Sequence, residues 1–355
     1  MASLNLFIEG QFLDSYIYSG NLFLLDENYV LSIYKWDRLV EIATQINTSE
    51  GLESLLKDSS QQFSLDINEI VITSEDLKTA FSSRLDLGVW PSDINVFANI
   101  LYISSENGVI RYDLDYKKGV LGSKFLIFDE VSFSISPNSS NRVAIAAGKS
   151  GVLTFVPKTK NLSRNYLKEF TFESCTDVDW QSTTLLANTA LGVKRADFIP
   201  MPIYSDFDDK QDFYVKFKEF KEFTPKLHSK EHSEHSWIGG DKLYSLNHDQ
   251  TIIVEDLNKK TVVTSVINKV ENKVIKVKSS SFGAILETDD SLYILRSEEP
   301  QKVYGEPVNW RVFPRAKFYS NHLHIISDDH IEIRIISSTN NDTLGFNPDK
   351  IDLNG

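Results

Sequence analysis

An all-β fold built from seven similar units is what this sequence predicts, and three observations carry the prediction. Seven stretches, starting at Asn21, Asn99, Arg142, Thr183, Asp241, Phe282 and Asn321, each run as an alternating strand, a tight polar turn and a second alternating strand. Four of the six intervals between these starts are close to 40 residues, the length of one four-stranded sheet with its turns. The composition, 41% hydrophobic and 12% aromatic, supplies enough apolar material to fill cores between stacked sheets. Units that cannot bury both faces alone must stack on their neighbours. The expectation is therefore a single seven-bladed β-propeller over residues 1–337, followed by a polar C-terminal tail at 338–355.

Taken in chain order, the first element is Leu4-Asn-Leu-Phe-Ile8, a strand with no hairpin partner of its own. A ring of blades closes when one terminus completes the blade built by the other, so this strand is expected at the outside of the last blade. The first long interval is explained by an insertion at 42–91. Within it Leu77, Phe81 and Leu85 share one helical face, with Ser74 as N-cap and acids in the first turn. A short helix packed on the propeller is expected there. The second long interval is explained by an insertion at 198–236, which could instead supply an eighth, irregular blade. Its stretch from Phe213 to Phe223 is ambiguous: Phe213, Val215 and Phe217 alternate as on a strand, whereas Phe217, Phe220 and Phe223 are spaced three apart as on a helix.

The unit Val131 to Phe155, with Ser136-Pro137-Asn138 between its first two strands and Gly151 before its third, resembles a WD40 repeat. Thr176 to Val193 and Trp237 to Leu257 follow the same plan. The resemblance covers nearly the whole chain as architecture and implies a propeller, without a function to carry over. Lys35-Trp36-Asp37, at the end of the first unit's third strand, has the letters of the Trp-Asp dipeptide; no unit ends in that dipeptide elsewhere, and none carries the Gly-His pair. Asp249, Asp290 and Asp329 fall where such repeats place a turn aspartate. The chain reads as a divergent WD40-like propeller.

Catalytic and metal signatures are absent from the sequence. His228, His232 and His235 have spacings that could gather imidazoles on one helix face, but the segment is polar throughout and has no cysteine in reach, so a solvated loop is expected. Asp206, Asp208, Asp209 and Asp212 lack the central glycine and terminal glutamate of a calcium loop. No nucleophile elbow, phosphate loop, dinucleotide fingerprint or His-Glu-x-x-His occurs, and no cofactor is implied. The lone Cys175 excludes an intrachain disulfide, and no apolar run is long enough to cross a bilayer. A cytoplasmic protein is expected, which leaves the sequons at Asn47, Asn138, Asn161 and Asn341 without meaning.

Fifty acidic against 37 basic residues give a net charge of −13, which disfavours nucleic acid and suits a basic protein partner. The aromatic stretch is the foremost binding candidate, with Phe213, Phe217, Phe220 and Phe223 as contacts, joined by Trp237. Trp90, Trp180, Trp237 and Trp310 stand at or just before first strands of four blades, where core packing is expected unless one faces outward as an anchor. The functional expectation is a non-catalytic interaction module, a scaffold or regulatory subunit of a cytosolic complex. Two alternatives stay open: an enzyme or small-ligand binder using the central channel, and an inhibitor that caps a basic partner.

Overall fold

The computed structural model describes residues 3–60, 69–157, 168–230, 233–240, 242–257, 262–266, 272–296 and 300–337. Among these residues the strands form seven sheets, six of four strands and one of five, and the chain is a seven-bladed β-propeller. Segment 198–236 supplies no eighth blade. The expected tail at 338–355 and the sequons at Asn161 and Asn341 lie outside the described residues.

The described chain divides into two compact units, one of residues 3–88, 114–122 and 237–337, the other of 89–113 and 123–236. Blade 1 pairs Phe12–Tyr18, Asn21–Asp26, Val30–Lys35 and Phe81–Asp86 in that order. Polar turns set its register: the Asp26 carboxylate accepts from the backbone N–H of Asn28 (2.9 Å) and of Val30 (3.0 Å), which holds Tyr29 at a φ of 61°. The same device recurs where the Thr251 N–H donates to Asp249 at 2.9 Å.

The N-terminal strand Ser3–Glu9 pairs antiparallel with His330–Ile336, in register from Ser3 opposite Ile336 to Glu9 opposite His330, so it completes the last blade as expected. It is not the edge. Glu69–Ile72 lies parallel beside it as a fifth strand, pairing Asn5 with Glu69 through Ile8 with Ile72. That extra strand belongs to an insertion that also forms helices α1 (Trp36–Ile46), α2 (Leu52–Lys57) and α3 (Ser74–Thr79). Trp36, Leu39, Val40 and Ala43 recur at helical spacing on α1 and bury with Leu4, Leu6 and Ile8 of the terminal strand and Leu52, Leu55 and Leu56 of α2. The insertion thus covers an edge that would otherwise expose unpaired backbone.

Three expectations for this region are corrected. Trp36-Asp37 does not end a third strand: it opens α1, and the buried Trp36 indole donates to the Leu56 carbonyl at 2.8 Å. The helix at 74–85 stops at Thr79. Phe81 and Leu85 lie instead on the fourth strand of blade 1, opposite Tyr34 and Leu31. An unpaired neighbouring strand outweighs the local helical spacing, because pairing satisfies a whole row of backbone groups at once. The cap is Thr73, not Ser74: its hydroxyl accepts from the Asp76 N–H, and Asp76 reaches back to the Thr73 N–H, forming a capping box.

Blade 2 pairs Pro91–Phe97, Ile100–Ser105, Gly108–Asp115 and Val120–Phe128, and blade 3 pairs Ser134–Pro137, Val143–Ala146, Val152–Phe155 and Lys168–Thr171. Blade 4 pairs Cys175–Gln181, Thr184–Thr189, Gly192–Asp197 and Leu227–Lys230. Residues 227–230 of the segment 198–236 are therefore blade, not insertion. Gly151 before the third strand of blade 3 has a φ of +79°, and a Cβ there would stand 1.7 Å from the Thr171 carbonyl oxygen. Gly151→Ala is expected to cost about 2 to 3 kcal/mol, read as a fall in the urea midpoint at unchanged slope.

Candidate protein-binding face

The aromatic stretch singled out from sequence is helix α4 (Lys210–Glu222), started by Asp209, whose side chain accepts from the Gln211 N–H. It sits in the connection between the third and fourth strands of blade 4. Phe213, Phe217 and Phe220 recur at helical spacing, and their rings stack in a row with centroids 5.7 and 6.0 Å apart. Phe220 is fully buried and Phe213 and Phe217 are half-buried, so this stripe faces the propeller. Its seat is Arg142, before the second strand of blade 3. The buried guanidinium lies 4.2 Å from the Phe220 ring centre and 4.8 Å from that of Phe198, and it donates to the Phe220 carbonyl. Phe223 tilts against Phe198 at 6.2 Å.

Trp237 is likewise core, 3% exposed and stacked on Tyr244 at 5.4 Å. Of the predicted contacts, Phe220 and Phe223 seat the helix on Arg142 and Phe198, Phe213 packs on Tyr204 and Phe207 of the same connection, Phe217 stacks between Phe213 and Phe220, and Trp237 fills a core between sheets. What α4 shows outward is Tyr214 and Val215. His228 and His235 lie on strands rather than on a helix, and His232 lies outside the described residues. Among the described residues no group of histidines, cysteines and carboxylates could hold a metal ion.

A different face of the second unit carries an unspent apolar row. In a blade of four antiparallel strands, the turn between strands two and three and the connection to the next blade emerge at the same end. At that end of blades 2, 3 and 4 stand Trp90, Val131, Phe133, Phe172 and Leu191, between 42% and 77% exposed. Backbone hydrogen bonds tie the loops of the last four into one line, and the Ser92 hydroxyl beside Trp90 donates to the Ser132 carbonyl at 2.5 Å. Ser132 N–H donates to the Ser105 carbonyl at 3.0 Å, Gly148 and Cys175 exchange bonds of 2.8 and 3.0 Å, and Ala190 N–H donates to the Ser174 carbonyl at 2.9 Å. The Phe133 ring lies so close to Gly148 that a Cβ there would stand 2.5 Å from it. The row is rigid and already partly desolvated.

Carboxylates border the row. Glu106 and Asp129 are exposed on neighbouring loops, Glu130 accepts from the Ser150 hydroxyl at 2.8 Å, and Glu173 binds Lys194 at 2.9 Å. Burial pushes the Glu173 carboxyl up, but hydrogen bonds from Thr189 and Lys194 outweigh it and hold the group below the usual carboxylate range. On the first strands beneath, the Ser134 hydroxyl lies 3.3 Å from Asp93 and 3.4 Å from Asp177, and Ser136 lies 3.4 Å from Asp179. Sequence alone flagged only Trp90 of this row. The others sit singly in turns, where no periodicity marks them, and only the order of strands brings them together.

No protein-family model and no curated protein matches the sequence. Solved structures do resemble the fold. One chain in the crystal structure of the mitotic checkpoint complex superposes with a TM-score of 0.53 at 10% identity, over 94% of this chain and 90% of that one. The Neurospora crassa Pan2 WD40 domain superposes with a TM-score of 0.51 at 8% identity, over 91% and 89%. With the seven blades and the Val131 to Phe155 unit, these likenesses identify the chain as a divergent WD40-like β-propeller in fold.

Proposed function

We propose that this protein is a non-catalytic interaction module, a scaffold or regulatory subunit that holds another protein on the loop face of blades 2 to 4. The observation that carries the reading is the row Trp90, Val131, Phe133, Phe172 and Leu191, five large apolar side chains exposed on loops that hydrogen bonds hold in place. Leaving such a row in water has a cost that docking removes, and rigid loops lose little entropy on binding. The likeness to WD40 propellers, one of them a chain in a solved multiprotein complex, agrees with this task.

The test compares two faces of the same fold. Trp90→Ser with Phe172→Ser should leave the unfolding free energy within about 0.5 kcal/mol of the parent, because both side chains are exposed. The same pair should weaken capture of the partner from native extracts by more than about tenfold. Tyr214→Ser with Val215→Ser, on α4, should leave capture unchanged. Persistence of the partner on the first pair and its loss on the second would move the interface to α4 and end this reading.

A further inference from the structure

We propose that the segment docked on this face is basic: an aromatic or aliphatic side chain of a partner protein flanked by lysine or arginine. The proposal rests on the preceding functional reading and adds the partner's chemistry. The loops that present the apolar row contain Glu106, Asp129 and Glu130 against a single cation, Lys149, while Glu173 is matched by Lys194. Asp93, Asp177 and Asp179 lie on the first strands immediately below, within reach of Ser134 and Ser136. A ligand lying along the row therefore passes over carboxylates of blades 2 and 4 and of the connection that leads from blade 2 into blade 3.

The position of these charges decides the sign of the partner. Lys194 and Glu173 are already bound to each other at 2.9 Å, so that pair favours neither sign of partner. Glu106 and Asp129 are exposed, and they are neighbours: the Asp129 Cα lies 3.1 Å from the position of a Cβ on Gly108, two residues after Glu106. An acidic segment would meet like charge at Glu106, Asp129, Asp177 and Asp179, whereas a basic one meets its complement there and keeps its apolar anchor for Trp90 and Phe133. A second copy of this chain, with its net charge of −13, is a poor occupant for the same reason.

The experiment places a photo-reactive benzoylphenylalanine at Phe172 of the full-length chain in its own cells, with the same group at Tyr214 as the control on α4. Cross-linked segments are read by mass spectrometry. The expected result is a segment with net positive charge and an apolar residue at the linked site, with the yield reduced about tenfold by Glu106→Lys with Asp129→Lys. Purified with the corresponding synthetic peptide, the parent should show a blue shift of tryptophan emission, because Trp90 is the exposed one of the five tryptophans. Cross-linking at Phe172 to a neutral or acidic segment, or to a second copy, overturns the basic-partner proposal while the interaction reading stands. Cross-linking at Tyr214 alone overturns both, and so does no cross-link at either position.

Discussion

Lowering the pH from about 7.5 to about 5 is expected to remove about 4 kcal/mol of unfolding free energy, through two histidines of the last blade. His322 and His324 alternate on the strand His322–Ile326 and are both fully buried. Trp36 and Tyr319 close on His322, with ring centres at 5.7 and 5.4 Å, and Phe313 lies 4.7 Å from His324. Ser15 meets Nδ1 of His324 at 2.7 Å, while neither ring nitrogen of His322 has a hydrogen-bond partner among the described residues. Burial holds the His322 pKa down to about 3; burial, then the neighbouring His322 and Arg311, holds His324 well below its usual value.

Because these pKa values are depressed on folding, the unfolded chain takes up protons below about pH 6.5 while the folded chain does not. Stability is therefore fully present above that pH and falls as pH drops towards the folded values, by about 1.4 kcal/mol per unit for each ring. The carboxylates held below their usual range, Glu173 and Asp197 among them, add losses only in more acidic solution, so the window between about pH 6.5 and about pH 5 reports the histidines. Urea unfolding at the two pH values checks the size of the loss, and His322→Leu should halve it. A variant as acid-sensitive as the parent would show that the buried ring is not the cause.

Arg142→Ala is expected to cost about 4 kcal/mol and to release α4. The guanidinium is buried between Phe198 and Phe220, and among the described residues no carboxylate pairs with it. Burial alone lowers its pKa to about 10, so it remains charged at neutral pH and is held by two aromatic faces and one carbonyl. Truncation to alanine leaves a cavity under Phe220 and leaves its carbonyl with the Phe223 N–H, at 3.4 Å, as its remaining partner. Arg142→Met fills most of that volume without the cost of a buried charge, and should recover more than half of the loss. Urea midpoints of the two variants, with limited proteolysis of residues 199–226, separate the effects. Equal stability of the alanine variant and the parent would mean that α4 is seated by Phe198 and Phe223 alone.

Replacing residues 203–224 by a short flexible linker extends the same reasoning. Phe220 and Phe223 pack on Arg142 and Phe198, so removal should destabilise the chain rather than leave an intact fold that has lost only its binding.

The seven blades were legible in the chain because a strand carries its own signal: side chains alternate, and the turns carry residues that favour them, Asp26 and Asn28 in one and Asn247 and Asp249 in another. The closing role of Leu4 to Ile8 was legible too, since an unpaired apolar strand needs a partner. Local pattern failed where two structures compete for the same residues. Phe81 and Leu85 have helical spacing yet form a strand, because the third strand of blade 1 offers backbone partners that a helix would forgo. Phe213 to Phe223 fits either period, and its helix is selected by a seat on Arg142 and Phe198, which stand far off in sequence. Sequence by itself determined the repeat, the class of fold and the acidic charge. The tertiary structure decided which aromatics are spent inside: Trp180, Trp237, Trp310 and Phe220 are buried, whereas Trp90 and Phe172 are left in water. The physical reason is that a strand pattern states only that a residue alternates with its neighbours, while exposure depends on what the next blade places against it.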